Sequence, residues 1–200
     1  LYVYWNEIQH TNFTGISFFM ESLSIGDNNL TTLDLRSLRG LVWLGCSDNQ
    51  LTDIQFYDHV HLKSFYCSNN MLASLDVSRF NYLERFECRN NNINSLNLAN
   101  NSNLIYLDCS NNNISTLNLS NKSKLDKLIC SNNLIPTLDI SQNPALATLY
   151  CIGNPIDEVN VTLLTTSLPN RIGKKEGRFK YLGRYTDVNS IETVKTWKAE

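Results

Sequence analysis

The sequence lacks the features that mark several large classes of protein. No run of about 18 apolar residues occurs in its 200 residues, so it predicts no membrane-spanning helix. Its formal net charge is −2 and it contains no basic stripe, which argues against a nucleic-acid partner because phosphate binding needs positive charge. Hydrophobic residues make up 42% of the chain and charged residues 18%, a composition that favours a packed core over disorder.

The arrangements that support metal binding and catalysis are also missing. The six cysteines form no Cys-x-x-Cys pair, and the three histidines, His10, His59 and His61, keep no ligand spacing. We therefore predict no metal site and no cofactor. Neither a pair of carboxylates nor a Ser-His-Asp set can be assigned. The sequence favours a protein that is not an enzyme.

What the sequence does contain is a 21-residue repeat. The cysteines are evenly spaced, one in each unit; leucine or phenylalanine stands five and two residues before each cysteine, and asparagine stands three residues after it. One further unit fits upstream, with Ile25 in place of cysteine. The units begin at residues 20, 41, 62, 83, 104, 125 and 146. Seven units in one frame indicate a repeat architecture.

Within each unit the apolar residues alternate, as in a half-buried strand. Leu107 and Cys109 should point inward, whereas Tyr106 and Asp108 point outward. One unit cannot bury its apolar side alone, but parallel strands stacked about 4.8 Å apart would bury a continuous core. A second apolar pair closes the opposite wall, and the Asp or Asn between its members should face outward in a tight turn. Those residues are Asp34, Asp76, Asn97, Asn118, Asp139 and Asn160.

The unit L-x-x-L-x-C-x-x-N-x-L-x-x-L-x-L, seen in Leu104–Leu119 with Ile114 at the third leucine, resembles the leucine-rich repeat family. Its length is similar to that of the short repeats in bacterial secreted and cell-surface members. The resemblance covers residues 20–161. It implies a curved solenoid with a stacked parallel β-sheet, a mostly non-helical convex side and a binding function, at an extracellular or cell-surface location. Because the chain opens at Leu1 rather than Met, any upstream targeting segment would lie outside it.

The two ends depart from the repeat and are expected to be caps that cover the open core. We predict three parts: an aromatic-rich N-terminal cap over residues 1–19, the seven repeats over 20–161, and a C-terminal cap over 162–200. In the last we expect a strand near Arg178–Leu182 and a short helix over Ser190–Lys198. This tail resembles the closing segment of bacterial secreted leucine-rich repeat proteins. A basic cluster within it favours a solvated loop over a binding patch: Arg171, Lys174, Lys175, Arg178, Lys180 and Arg184.

The cysteines and the repeat asparagines are both interpreted as structural. Cysteine alternates with leucine, so we expect buried free thiols rather than disulfides, since identical positions on in-register strands hold their side chains parallel. The thiols are Cys46, Cys67, Cys88, Cys109, Cys130 and Cys151. A buried amide carries donors and an acceptor, so the asparagines should form a ladder that satisfies the backbone where each coil turns. The ladder comprises Asn28, Asn49, Asn70, Asn91, Asn112, Asn133 and Asn154.

The outward residues of the strands are not needed for folding, so their chemistry is the main indication of function. Tyr, Trp and Arg are enriched in interface hot spots, although aromatic residues also suit strands for structural reasons. The candidate partner-binding residues are Trp43, Tyr66, Arg85, Glu87, Arg89, Tyr106, Asp108, Lys127, Ile129 and Tyr150.

These residues favour a monomeric protein that binds another protein through the outward face of its sheet. A glycan-binding protein that uses the exposed aromatic strip is the alternative. The substrate-reading half of a bacterial ubiquitin-ligase effector is a third hypothesis, but the chain has a single Leu-Pro pair (Leu168-Pro169), whereas the resemblance to those effectors would require repeated ones.

Overall fold

The computed structural model describes residues 1, 7, 11, 13, 20–57, 61–157 and 160, and the backbone of residues 177–181 and 193–197. The strands of this part of the chain, most of them three residues long, are β1 (Ser22–Ser24), β2 (Thr32–Asp34), β3 (Trp43–Gly45), β4 (Asp53–Gln55), β5 (Ser64–Tyr66), β6 (Arg85–Glu87), β7 (Tyr106–Asp108), β8 (Lys127–Ile129), β9 (Thr148–Tyr150), β10 (Gly177–Tyr181) and β11 (Thr193–Trp197).

One strand from each of the seven repeats enters a single sheet, which β10 and β11 extend, in the order β1-β3-β5-β6-β7-β8-β9-β10-β11. The seven repeat strands pair in parallel, each shifted by one repeat unit from its neighbour, so that Leu107 lies beside Phe86 on one side and Leu128 on the other. This register follows from the side-chain alternation, because a slip of one residue would turn every leucine outward. The predicted leucine-rich repeat solenoid is confirmed.

The opposite wall of the solenoid consists of strands and turns in the described coils. β2 and β4 form a two-stranded parallel sheet, and most coils make a tight turn in which an Asp or Asn side chain accepts a hydrogen bond from the backbone N–H two residues later. Asn118 Oδ1, for example, accepts from Ser120 N at 2.9 Å. The same bond forms at Asp34, Asp76, Asn97 and Asp139. The expected mostly non-helical convex side is therefore present.

The core between the two walls is a continuous stack of leucine, isoleucine, phenylalanine and cysteine side chains. Near its middle the rings of Phe65 and Phe86 stack with centroids 5.5 Å apart, and Phe56 and Phe80 pack edge-on against Phe65. The six cysteine side chains are all 0% exposed. Burial raises the pKa of every one of these thiols, to about 12 for Cys151 and well above the usual range for Cys67, Cys88 and Cys130.

The repeat asparagines form hydrogen bonds to the backbone of two coils. Asn112 is buried and donates through Nδ2 to the carbonyl oxygens of Cys88 and Cys109, at 2.9 and 3.2 Å. Its Oδ1 accepts from Ile93 N at 3.0 Å. The same pattern recurs at Asn49, Asn70, Asn91, Asn133 and Asn154. Each amide thus ties its own coil to the preceding one.

Replacing Asn112 by Ala is expected to lower the free energy of unfolding by about 1–3 kcal/mol, because it leaves the buried Ile93 N–H without its acceptor. The Cys88 carbonyl loses one of two donors and keeps Asn91 Nδ2. Asn113 is the matched control, since it is adjacent but exposed and only its backbone is bonded, to Ile93 O. Asn113→Ala should change stability by less than about 0.5 kcal/mol. Urea unfolding of both variants measures the difference, and equal losses would show that the ladder contributes no stability.

A second, exposed ladder of asparagines was not expected from the sequence. Asn69, Asn90, Asn111 and Asn132 all adopt positive φ at the corner that follows each sheet strand, a conformation that asparagine tolerates better than most residues. Each donates through Nδ2 to the preceding side chain of the column, and the series ends with Asn69 donating to Asp48 Oδ1 at 2.7 Å. Gly153 occupies the next position of the column and has no side chain to donate to Asn132, so the column ends there. A Cβ at Gly153 would collide with Asn132 Oδ1. The corners of successive coils are therefore linked by side chains as well as backbone.

The two ends of the chain extend the same sheet. Leu1 bonds the free edge of β1, with its amino group donating to Ser22 O and its carbonyl accepting from Ser24 N, both at 2.9 Å. Phe13 is buried; the other aromatic residues of the predicted N-terminal cap, at positions 2, 4, 5, 18 and 19, lie outside the described residues. At the other end β10 pairs in parallel with β9, where a strand near Arg178–Leu182 was expected.

The helix predicted over Ser190–Lys198 is wrong for the part of it that the structure describes. Thr193–Trp197 is strand β11, which pairs antiparallel with β10. Thr193, Val194 and Thr196 are β-branched, and β-branched residues favour a strand over a helix. Of the basic cluster only Arg178 and Lys180 are described, as backbone within β10; the others lie outside the described residues.

Candidate binding surface

The outward side chains of the sheet strands form one continuous surface, which we call the sheet face. The first residues of strands β3 and β5–β9 lie in one row, because the register places each beside its counterpart in the next strand: Trp43, Ser64, Arg85, Tyr106, Lys127 and Thr148. The last residues form a second row: Gly45, Tyr66, Glu87, Asp108, Ile129 and Tyr150. Arg89 is exposed just beyond the end of β6. The structure therefore brings the ten candidate residues onto one side of the molecule.

The N-terminal part of the sheet face is an aromatic platform, formed by Trp43 and Tyr66 with Gly45 beneath. A Cβ at Gly45 would lie 2.5 Å from the Trp43 ring, so the indole occupies the space that any other side chain at this position would need. The Tyr66 ring lies beside the indole with centroids 5.5 Å apart and an angle of 40° between the planes. Gly45 therefore lets the indole lie flat over the sheet, a role that the sequence pattern alone did not indicate.

The centre of the sheet face carries charges that are not paired with one another. Among the residues that the structure describes, the only ion pair joins Arg36 and Asp34, on the opposite wall. Arg85 and Arg89 are exposed, and Glu87 is partly buried; none of these three side chains makes a hydrogen bond within the described part of the chain. Burial, together with the neighbouring Asp108 carboxylate, raises the pKa of Glu87 despite the nearby cations. The side chains of Arg85, Glu87 and Arg89 are therefore available for ion pairs or hydrogen bonds with a partner.

Tyr106 and Lys127 connect the charged centre to the C-terminal end of the sheet face. The Lys127 ammonium lies 5.0 Å from the centroid of the Tyr106 ring, a distance that suits a cation–π contact. Burial and the nearby Glu87 and Asp108 carboxylates raise the pKa of the Tyr106 hydroxyl to about 12. Ile129 and Tyr150 complete the second row, both partly exposed.

Asp108 departs from the expectation that it would be exposed on this surface. Its outward side chain is only 6% exposed, because Glu87 and Ile129 flank it in register. Its Oδ1 accepts hydrogen bonds from Ser110 N and Ser110 Oγ, at 3.1 and 2.6 Å. Asp108 is therefore better placed to influence Glu87 and Tyr106 than to contact a partner directly.

Two further sets of observations concern metal ions and membranes. Among the described residues no group of three or more His, Cys, Asp or Glu side chains is arranged to hold a metal ion. In the same part of the chain, no helix has the length and apolarity needed to traverse a bilayer.

Comparisons with known proteins identify the fold. No protein-family model and no curated protein sequence matches the chain. Among solved structures, an internalin (inlF) from Listeria monocytogenes is 28% identical with a TM-score of 0.62, over 70% of this chain and 44% of that one. YopM from Yersinia enterocolitica is 30% identical with a TM-score of 0.59, over 68% and 30%. The leucine-rich repeat domain of a Shigella effector is 26% identical with a TM-score of 0.62, over 70% and 61%.

The matched part of this chain thus spans between 30% and 61% of the length of these three proteins. All three are bacterial, and their similarity covers about as much of the chain as carries the repeat. Together with the register of the sheet and the asparagine ladder, these matches show that the chain is a short-repeat leucine-rich repeat solenoid of the kind found in bacterial proteins.

Proposed function

We propose that the protein is a non-catalytic module that binds another protein through the sheet face. The observation that carries this proposal is the set of unpaired charges at the centre of that face. Arg85, Glu87 and Arg89 make no ion pair within the described residues, although the chain has formed one on the opposite wall. A surface with a purely structural role gains stability from neutralising such charges, whereas a binding surface keeps them for its partner.

The residue types and dimensions of the surface support the same proposal. Trp43, Tyr66, Tyr106 and Arg85 are of the types that dominate the energetics of protein interfaces. The Trp43 ring packs over Gly45 and beside Tyr66, and the Tyr106 ring contacts the Lys127 ammonium. These contacts restrict the aromatic side chains and so reduce the conformational entropy lost when a partner binds. The six sheet strands from β3 to β9 span about 25 Å at the usual strand spacing. That length suits a loop or a helix of a protein better than a small metabolite, which needs an enclosed pocket.

We further propose that residues 1–19 and 162–200 act as caps to the seven repeats over 20–161, and that the protein works as a monomer. The similarity to the internalin supports an extracellular or bacterial cell-surface setting for this binding function. The ends of the sheet are consistent with caps, since Leu1 and β10 cover the outer edges of β1 and β9. A cap of this kind prevents edge-to-edge association of sheets.

Substitutions on the sheet face test the proposal against a partner recovered with the parent protein. Arg85→Ala and Tyr106→Ala should each weaken binding by about tenfold, a typical loss for a hot-spot side chain. Neither should lower the melting temperature by more than a few degrees, because both side chains lie outside the core. Asn118→Ala, on the opposite wall, is the control and should bind as the parent does. Unchanged affinity of the Arg85→Ala/Tyr106→Ala double variant would show that the sheet face is not the binding surface.

A glycan-binding protein is the second candidate, and the aromatic platform favours it. A flat indole with an adjacent tyrosine can stack against the apolar face of a sugar ring, and the partly exposed Ser22 and Ser64 carry hydroxyl groups nearby. An array of glycans compared with a host-protein capture experiment separates the two functions. Loss of glycan binding in Trp43→Ala would support the second candidate over the first.

A further inference from the structure

A polar cleft lies on the flank of the solenoid, away from the sheet face. It is formed by the segments that lead from the opposite wall back to the sheet in three successive coils, and its volume is about 620 Å³. This volume lies within the range of small-molecule pockets, but the depression is shallow and most of its lining side chains are exposed. The polar and aromatic side chains that line it are Asn81, Tyr82, Asn100, Ser102, Asn103 and Asn121. No charged side chain lines the cleft.

The hydrogen-bonding groups of this cleft are largely unused. The side chains of Asn81, Asn100, Ser102 and Asn121 make no hydrogen bond within the described part of the chain. Each amide offers two donor hydrogens and a carbonyl acceptor, and the serine offers a hydroxyl. Free hydrogen-bond donors and free acceptors therefore lie together in this cleft. They match a ligand whose polar groups can both donate and accept hydrogen bonds.

Two of the lining side chains are held in fixed positions. The Tyr82 ring is 51% exposed and stacks on the His61 ring, with centroids 6.0 Å apart and an angle of 27°. Asn103 donates through Nδ2 to Asn81 O at 2.9 Å, and its Oδ1 accepts from Lys124 Nζ at 2.7 Å. The aromatic surface and one amide are therefore in place before any ligand arrives, which reduces the entropy lost on binding.

We propose that this cleft binds a neutral saccharide. Hydroxyl groups of a sugar act as both donors and acceptors and so match the free amides, while the C–H face of a sugar ring can stack on Tyr82. A phosphorylated or sulfated ligand would need free cations in the lining, whereas the neighbouring Lys124 ammonium already donates to Asn103 Oδ1. A hydrophobic ligand would leave the amides without partners. The cleft is separate from the sheet face, so this activity is independent of protein binding there.

An array of neutral oligosaccharides, followed by titration of its strongest ligand into the full chain, tests the proposal. The parent protein should bind, and Tyr82→Ala should weaken binding at least tenfold. Asn100→Ala should also weaken it, since it removes an unused amide from an exposed position without removing an internal bond. Both variants should keep the parent melting temperature. Tyr66→Ala, which removes a tyrosine of the sheet face, is the matched control and should bind the saccharide as the parent does.

The Arg85→Ala/Tyr106→Ala variant, impaired in protein binding, should also retain full saccharide binding, so that the two functions can fail separately. The proposal would be overturned if no neutral oligosaccharide bound at millimolar concentration, or if only sulfated glycans bound. It would be overturned equally if Tyr66→Ala or Trp43→Ala abolished saccharide binding while Tyr82→Ala did not, because the site would then be the aromatic platform of the sheet face.

Discussion

Raising the pH from about 8.5 to 9.5 is expected to lower the free energy of unfolding by about 6 kcal/mol, as follows from the linkage between proton binding and stability. The cause is the column of six buried cysteines. In the unfolded chain a thiol loses its proton with a pKa of about 8.5. In the folded chain burial raises the pKa of all six thiols, so they stay protonated.

The direction of this effect follows from which state holds more protons. Below about pH 7 the thiols are neutral in both states, and stability does not depend on them. Above that pH the unfolded state releases protons that the folded state retains, so unfolding becomes progressively more favourable until the folded thiols also ionise. Each thiol contributes up to about 1.4 kcal/mol per pH unit, a large effect beside a typical stability of about 5–15 kcal/mol.

Urea unfolding at a series of pH values measures the slope, with thiol labelling of native protein as an independent check on burial. Cys109→Ala is the informative variant, because removing one of six thiols should reduce the slope by about one sixth, whatever it does to stability at pH 7. Native thiols should remain unlabelled and all six should react after denaturation. A stability that is flat between pH 8 and 9.5, or rapid labelling of the native protein, would contradict burial of the column.

Phe65→Ala is expected to lower the free energy of unfolding by about 3–5 kcal/mol, the usual range for deleting a buried phenylalanine side chain. Phe65 is fully buried at the centre of the cluster with Phe56, Phe80 and Phe86, so its removal leaves a cavity bordered by rings on three sides. Rigid rings are poorly able to fill such a cavity by relaxing into it.

The control is Phe65→Leu, which installs the residue that other repeats hold at this position, such as Leu44 and Leu107. It should cost only about 1–2 kcal/mol, because most of the volume is retained. Urea unfolding at pH 7 distinguishes the two variants. Equal losses for Ala and Leu would mean that the space around Phe65 collapses freely, and that the aromatic cluster is not tightly packed.

The repeat made the register and the buried ladder predictable from the sequence. A shift of one repeat unit fixes which leucine lies beside which, so the pairing of Leu107 with Phe86 and Leu128 follows from counting. The position of Asn112 follows in the same way, since every unit places an asparagine after its strand. Periodic sequences reveal such features because every unit packs against its neighbours with the same residue positions.

Features that depend on neighbours in space were not predictable in this way. The burial of Asp108 arises from Glu87 and Ile129 on the adjacent strands, and the exposed ladder arises from positive φ at Asn69 and its counterparts. Lys122 is another example. It is 1% exposed, although lysine is normally a surface residue, because its stem packs within the coil while Nζ reaches Ser120 O at 2.9 Å.

The C-terminal segment shows where a local pattern misleads. Ile191, Val194 and Trp197 have the spacing of one helical face, which is why a helix was expected, but Thr193, Val194 and Thr196 are β-branched and favour a strand. Short apolar patterns do not distinguish the two structures. The neighbouring strand β10 provides a hydrogen-bonding partner, and this tertiary contact determines the outcome.

Site-specific photo-crosslinking tests the central claim, that the sheet face binds a protein partner, most directly. A photoreactive phenylalanine analogue in place of Tyr106 should crosslink to the partner in the complex, because Tyr106 lies at the centre of the sheet face. The same analogue in place of Asn118, on the opposite wall, should give no crosslink. Crosslinking from position 118 and none from position 106 would contradict the claim and place the partner on the opposite wall.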